Sequence, residues 1–181
     1  MSEITVRALG EDDWQEYRSV RLAALRESPE AFVARLEDEE TYAEDRWRSR
    51  MRRSNRLVAE REGAQVGVLS IGQSKSEDTS EDTSEEIGEI FGLWVSPDAR
   101  GSGVATKLVK SAAKVAREKG HSHIVYWVGT ENGRAVAFAS GIGFRPSSSR
   151  RPMGVVSKED GDQEIAMVLS LAQQPGPQAR F

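Results

Sequence analysis

The chain has no cysteine. That absence excludes a disulfide framework, a Cys-ligated metal and a thiol nucleophile. Histidine is nearly as scarce. His121 and His123 are the two present, neither lies in an H-E-x-x-H context, and no metal site is expected. No apolar run approaches the roughly 18 residues of a membrane-spanning helix, so no membrane partner is expected. The stretch Met1 to Arg7 lacks the basic-then-apolar layout of a secretory leader, and the expectation is a cytoplasmic protein. A length of 181 residues suits one domain with one core, because two halves would each be marginal.

Charge is unevenly spread. The net charge is −4, but residues 74–86 hold six acids against Lys75, a net of −5, so the remainder carries +1. A near-neutral body argues against broad nucleic-acid affinity, which needs many phosphate-neutralising cations. The basic stretch Arg46 to Arg53 follows an acidic one over residues 37–45, and the pair reads as a charged helix face. Residues 77–84 repeat Glu-Asp-Thr-Ser in tandem, which predicts a mobile acidic loop over 74–86. A domain over 1–171 is expected, followed by a Gln/Pro/Gly-rich disordered tail at 172–181.

Periodicity outlines the elements. Ile4 to Ala8 favours a strand, and the Glu11-Asp12-Asp13 acids suit the first turn of a helix that Ser28-Pro29 stops. A second helix is predicted from Leu36 to Met51. Two strands, Arg56–Glu60 and Gln65–Ile71, flank the turn Glu62-Gly63-Ala64. Glu89 to Val95 is an apolar strand, and its alternation puts Glu89 on one face with Phe91, Leu93 and Val95. An amphipathic helix follows, with Val104, Leu108, Ala112, Val115 and Ala116 on its apolar side and Gly120 at its end. His123 to Val128 is a further strand. Asn132 opens a short helix ended by Gly143, and a last β region runs from Phe144 to Leu171. The segment 145–151 within it is basic and is expected to be flexible. This order predicts an α/β chain with a mixed sheet and helices on both faces.

Between the strand and the amphipathic helix lies Arg100-Gly101-Ser102-Gly103-Val104-Ala105. Two glycines let the backbone turn tightly and approach a ligand closely. The free amides and the dipole at a helix N-terminus favour an anion there, and a pyrophosphate suits it. No Gly-Lys-Ser/Thr follows, so this is not a Walker A loop, and the third glycine of the dinucleotide fingerprint is missing.

The run Val95 to Ala105 resembles the acetyl-CoA loop of the GNAT N-acetyltransferase superfamily. The family pattern Arg/Gln-x-x-Gly-x-Gly/Ala puts its first position on Asp98, whereas the variant Arg-Gly-x-Gly fits Arg100 to Gly103 directly. Asn132, Ala135, Phe138, Gly143 and Phe144 match the spacing of the family's Asn-x-x-Ala-x-x-Leu-Tyr-x-x-x-Gly-Phe element. The resemblance spans about residues 3–171 and is strongest over 87–146. It implies an α+β fold with a mixed, mostly antiparallel sheet of about seven strands, splayed at the acetyl-CoA site. It further implies acetyl transfer to a primary amine of a small molecule or peptide in a ternary complex. Amides of Arg100, Gly101, Ser102, Gly103, Val104 and Ala105 would hold the pyrophosphate. The backbone of Leu93, Trp94 and Val95 would meet the pantetheine arm, with Asn132 contacting the arm or capping its helix. Family dimers are common, so a homodimer is a further expectation.

An alkyl ammonium with a pKa of about 10.4 costs about 4.6 kcal/mol to deprotonate at pH 7, so a positioned base is useful. The family often keeps one where Glu89 stands; Glu131 is an alternative. The tyrosine that commonly protonates the departing thiolate is replaced by Ala139. Tyr126 and Ser140 are stand-ins, or no acid is needed. Phe32, Trp47 and Trp127 are candidates for the acceptor wall, where aromatic rings suit a cationic amine. Ala139 also leaves open a chain that binds acetyl-CoA without turning it over.

Overall fold

The computed structural model describes residues 3–32, 34–74, 87–152 and 163–171. The acidic segment 75–86 and the tail 172–181, expected to be mobile, lie outside the described residues.

Seven strands form one sheet: β1 (Ile4–Leu9), β2 (Asn55–Arg61), β3 (Ala64–Ser74), β4 (Ile87–Val95), β5 (His123–Gly129), β6 (Arg145–Pro152) and β7 (Gln163–Ser170). Their order is β1-β2-β3-β4-β5-β7-β6. The β4–β5 pair is parallel and the other pairs are antiparallel. Helices α1 (Trp14–Glu27), α2 (Leu36–Glu39) and α3 (Glu44–Arg53) cover one face, while α4 (Val104–Glu118) and α5 (Gly133–Ile142) cover the other.

Strand alternation divides the core. Leu57 and Leu69 point toward α4, while their neighbours Val58 and Val68 point toward α1 and α3. On α4 the buried side chains are Val104, Leu108, Val109, Ala112, Ala113 and Ala116, the stripe that the 3.6-residue period predicts. Each fully buried leucine or isoleucine on this face contributes about 1.5–3 kcal/mol.

Three expectations are corrected. The helix expected over 36–51 is broken between α2 and α3. The Thr41 hydroxyl donates to the Asp38 carbonyl at 2.7 Å, a local bond that competes with helical pairing. The basic segment 145–151 is not a flexible loop but strand β6, paired from Arg145↔Val168 to Pro152↔Gln163. Pairing with the edge of β7 outweighs the low strand propensity of its serines and prolines.

The third correction concerns β4. Val68 pairs with Trp94 but Ser70 pairs with Phe91, so β4 carries an extra residue, and Gly92 sits there at φ +63°. A bulge of this kind reverses the alternation. Leu93 and Val95 therefore pack toward the α4 core, whereas Phe91 faces Arg56 on the opposite side and Glu89 shares the side of Phe91.

Candidate active site

β4 and β5 pair only from Ile87↔His123 to Ile90↔Tyr126. Beyond that point the strands part, and the edge of residues 91–95 facing β5 has no strand partner among the described residues. An unpaired strand edge is a row of open backbone donors and acceptors. Leu93 and Val95 lie on it.

A short turn at Pro97–Ala99 leads from β4 into the glycine loop. The Arg100 amide donates to the Pro97 carbonyl at 3.3 Å, and the Ser102 hydroxyl donates to the Ala99 carbonyl. Gly101 and Gly103 have φ of +81° and +89°, and a Cβ at either would meet nothing within 4 Å. Backbone conformation, rather than crowding, demands glycine here. Gly103 caps α4 without a side chain, and the amides from Gly101 to Ala105 make no hydrogen bond with another described residue. Five open donors at the positive end of a 15-residue helix favour an anion there. The loop fits a pyrophosphate, and its donors are backbone groups.

The side chain of Arg100 is engaged elsewhere. Its Nε donates to the Val95 carbonyl at 3.1 Å and its Nη2 to Glu27 Oε2 at 3.0 Å. Glu27 Oε2 also accepts from Trp94 Nε1 at 2.8 Å and from the Ser28 hydroxyl. Those two donors, followed by Arg100, hold the Glu27 carboxyl below the usual range. Glu27 thus ties the end of α1 to the end of β4 and to the loop. Sequence reasoning missed it, although an acid in the last turn of a helix opposes the dipole and so calls for partners.

Glu89 is half-buried. Burial pushes its carboxyl above the usual range, the Arg151 guanidinium 3.7 Å away and Trp127 pull it back, and Glu164 adds to the rise. Arg151 also binds Glu164 at 2.7 Å and lies 4.2 Å from the Trp127 ring. β6, β7 and β5 therefore converge on Glu89. Tyr126 is mostly buried, with its ring edge-on to Phe144 at 6.3 Å. Burial, aided by Glu164, raises its pKa, so it stays protonated at neutral pH, and its hydroxyl has no hydrogen-bond partner among the described residues.

On α5, Ala139 is fully buried in the core, whereas its neighbour Ser140 is exposed. Asn132 Oδ1 accepts from the Ala135 amide at 3.1 Å as the N-cap, which leaves its side-chain NH₂ free. Of the expected acceptor aromatics, Trp47 is wholly buried against Tyr17 and Tyr42 and packs the core. Trp127 lies beside Glu89, and Phe32 covers Arg21 at 4.9 Å. Trp94 is buried on the α1 side. Beneath Phe32 and Phe91 lies a set of charges that the sequence did not reveal: Arg21 and Arg50 on Glu39, with Arg56 against the Arg50 carbonyl. Their spacing along the chain carries no pattern. Among the described residues, no helix is long and apolar enough to cross a membrane.

The fold recurs in known proteins. A protein of Salmonella typhimurium described as an acetyltransferase, and solved with its cofactor acetyl-CoA, superposes with a TM-score of 0.69 at 21% identity. That likeness covers 96% of this chain and 97% of the other. An uncharacterized N-acetyltransferase of Methanocaldococcus jannaschii is 26% identical over 140 residues, which are 77% of this chain and 60% of that relative. The chain thus spans about three fifths of that relative's length. An uncharacterized N-acetyltransferase of Archaeoglobus fulgidus is 28% identical over 136 residues, 74% of this chain and 87% of that one. Residues 12–144, from the start of α1 through the glycine loop to the end of α5, match the Acetyltransferase (GNAT) family, and the chain belongs to it.

Proposed function

We propose that residues 1–171 act as one N-acetyltransferase domain, moving an acetyl group from acetyl-CoA to a primary amine of a small molecule or peptide by direct attack in a ternary complex. The observation that carries this reading is the run of open amides from Gly101 to Ala105 beside the parted β4 and β5. Acetyl-CoA, as co-substrate, supplies an acyl group already activated as a thioester. In this reading the loop amides hold the pyrophosphate, the free edge of Leu93 to Val95 takes the pantetheine arm, and the Asn132 NH₂ remains available to it. Glu89 accepts the proton of the ammonium group, directly or through a water. A carboxyl raised toward neutrality is better matched to that task than an ordinary one. Tyr126, protonated and without a hydrogen-bond partner among the described residues, gives its proton to the departing CoA thiolate.

A second reading, in which the chain binds acetyl-CoA without turning it over, is favoured by Ala139, a buried methyl where the family commonly has a phenol. One experiment separates the two. Thiol release from acetyl-CoA is followed over a panel of amines and short peptides, beside calorimetry of acetyl-CoA binding. Amine-dependent release that falls in Glu89→Gln supports the enzyme and its base. Binding without amine-dependent release supports the second reading. Absence of binding overturns both.

A further inference from the structure

The buried cluster between α1, α3 and the sheet holds more guanidinium than carboxylate. Arg21 grips Glu39 with Nε and Nη2, both at 3.1 Å, and Arg50 Nη1 reaches the same carboxylate at 2.7 Å. Arg56 is only 4% exposed, yet its donors go to neutral acceptors: Tyr17 Oη at 3.2 Å, Ser70 Oγ at 2.6 Å and the Arg50 carbonyl at 2.9 Å. Its Nε has no partner among the described residues. Two guanidinium groups thus share the Glu39 carboxylate, and the third, Arg56, has no carboxylate partner among the described residues. Arg53 adds a further cation to the field at Arg56, and burial together with Arg50, Arg21 and Arg53 lowers the Arg56 pKa. Removing cations from water without counter-charge is costly, and such an excess is kept where something anionic answers it.

The excess faces the candidate active site. Arg21 Nη1, the nitrogen that Glu39 does not use, lies 3.6 Å from where a Cβ on Gly92 would stand. Gly92 is the bulge residue of β4, just past the last pair with β5, and its missing side chain leaves the approach open. Phe32 lies on Arg21 at 4.9 Å and Phe91 on Arg56 at 5.4 Å, and Phe91 is itself 39% exposed. Glu89 shares the face of Phe91. The other nearby acid, Glu27, is already engaged by Trp94, Ser28 and Arg100.

We propose that the acceptor is an amine that also bears a carboxylate, and that Arg21, backed by Arg50 and Arg56, takes this carboxylate beside Gly92. The inference rests on the acetyltransferase reading and names its substrate class: amino-acid-like acceptors in preference to neutral amines. A carboxylate there accepts charge-assisted hydrogen bonds and offsets the buried excess, and it leaves the amine on the Glu89 side of β4.

The test uses the full chain, acetyl-CoA and thiol release, comparing kcat/KM for a panel of α-amino acids with that for their carboxamides. The expected result is a preference of about tenfold or more for the free acids, the size of one charge-assisted hydrogen bond. Arg21→Gln should erase the preference through KM, and Arg21→Lys should restore part of it. A second pair holds the backbone constant. Gly92→Asp places a carboxylate against Arg21 and should reverse the preference toward carboxamides, whereas Gly92→Asn, equally tolerant of a left-handed φ, fills the same approach without charge and should only reduce it. If Arg21→Gln fails to fold, the Gly92 pair decides. Amides acetylated as well as acids would overturn the assignment while the enzyme reading stands. A preference for phosphorylated amines over carboxylates would overturn the choice of anion. No transfer to any amine would remove the enzyme reading and this inference with it.

Discussion

The two faces of one sheet are built differently. Under α4 and α5 the buried residues are almost entirely aliphatic, and the functional groups offered there are backbone amides. Under α1 and α3 the core also encloses Glu39 and Arg56, both buried, with Arg21 and Arg50 close by. The first face needs only periodicity and two left-handed glycines to make its site. The second needs side chains from α1 and α3 to meet at one carboxylate of α2, with Arg56 of β2 held beside them by Tyr17, Ser70 and the Arg50 carbonyl. In the proposed reaction the first arrangement serves the cofactor and the second the acceptor, because main-chain groups recognise a common skeleton and side chains discriminate.

The largest effect should come from breaking the charged face at its centre. Glu39→Gln leaves Arg21 and Arg50 without their shared carboxylate and should lower stability by about 3–5 kcal/mol in denaturant titration. Burial alone would raise the Glu39 pKa, but hydrogen bonds from Arg21 and Arg50 outweigh it and hold the carboxyl below the usual range. Its contribution is therefore present above the ordinary carboxylate pKa and lost as pH falls through the lowered one. The gap between wild type and Glu39→Gln should close in acid. On the other face Leu108→Ala should cost about 2–5 kcal/mol with no comparable pH dependence. Equal pH dependence for the two variants would erase the contrast.

The catalytic proposal gives the next effect. Glu89→Gln should lower kcat/KM by about 10²–10⁴ without loss of stability, read by thiol release and thermal melting. Because the Glu89 pKa is raised, wild-type kcat/KM should climb with pH through a value above the ordinary carboxylate range, and the variant should lose that limb.

Smaller effects test the backbone site. Gly103→Ala forces a left-handed φ on alanine at a cost of about 1–2 kcal/mol, and acetyl-CoA affinity by calorimetry should fall with it. Trp94→Phe removes one donor from Glu27 and should lower the melting temperature slightly, leaving acetyl-CoA binding near wild type.

Much of this was legible along the chain, and the reason is locality. The α4 stripe, the Asn132 cap and the Arg100–Gly103 loop each depend on neighbours within a few residues, so their pattern survives in one dimension. The resemblance to the GNAT family likewise rested on two short segments on either side of α4. Where a prediction failed, a non-local partner intervened. β6 became a strand because β7 offered an edge, and Leu93 and Val95 left the face of Glu89 because one residue at Gly92 has no counterpart on β3.

The sequence alone determined most of the element types, the glycine loop that opens α4 and the family, since local spacing and conformational preference suffice for these. Only the tertiary structure decided that Trp47 is core, that Arg100 holds Glu27, that Arg151 sits beside Glu89, and that Arg21 and Arg50 converge on Glu39. Those pairings join residues up to 73 positions apart. Burial and electrostatics act through space, and no spacing rule along the chain encodes them.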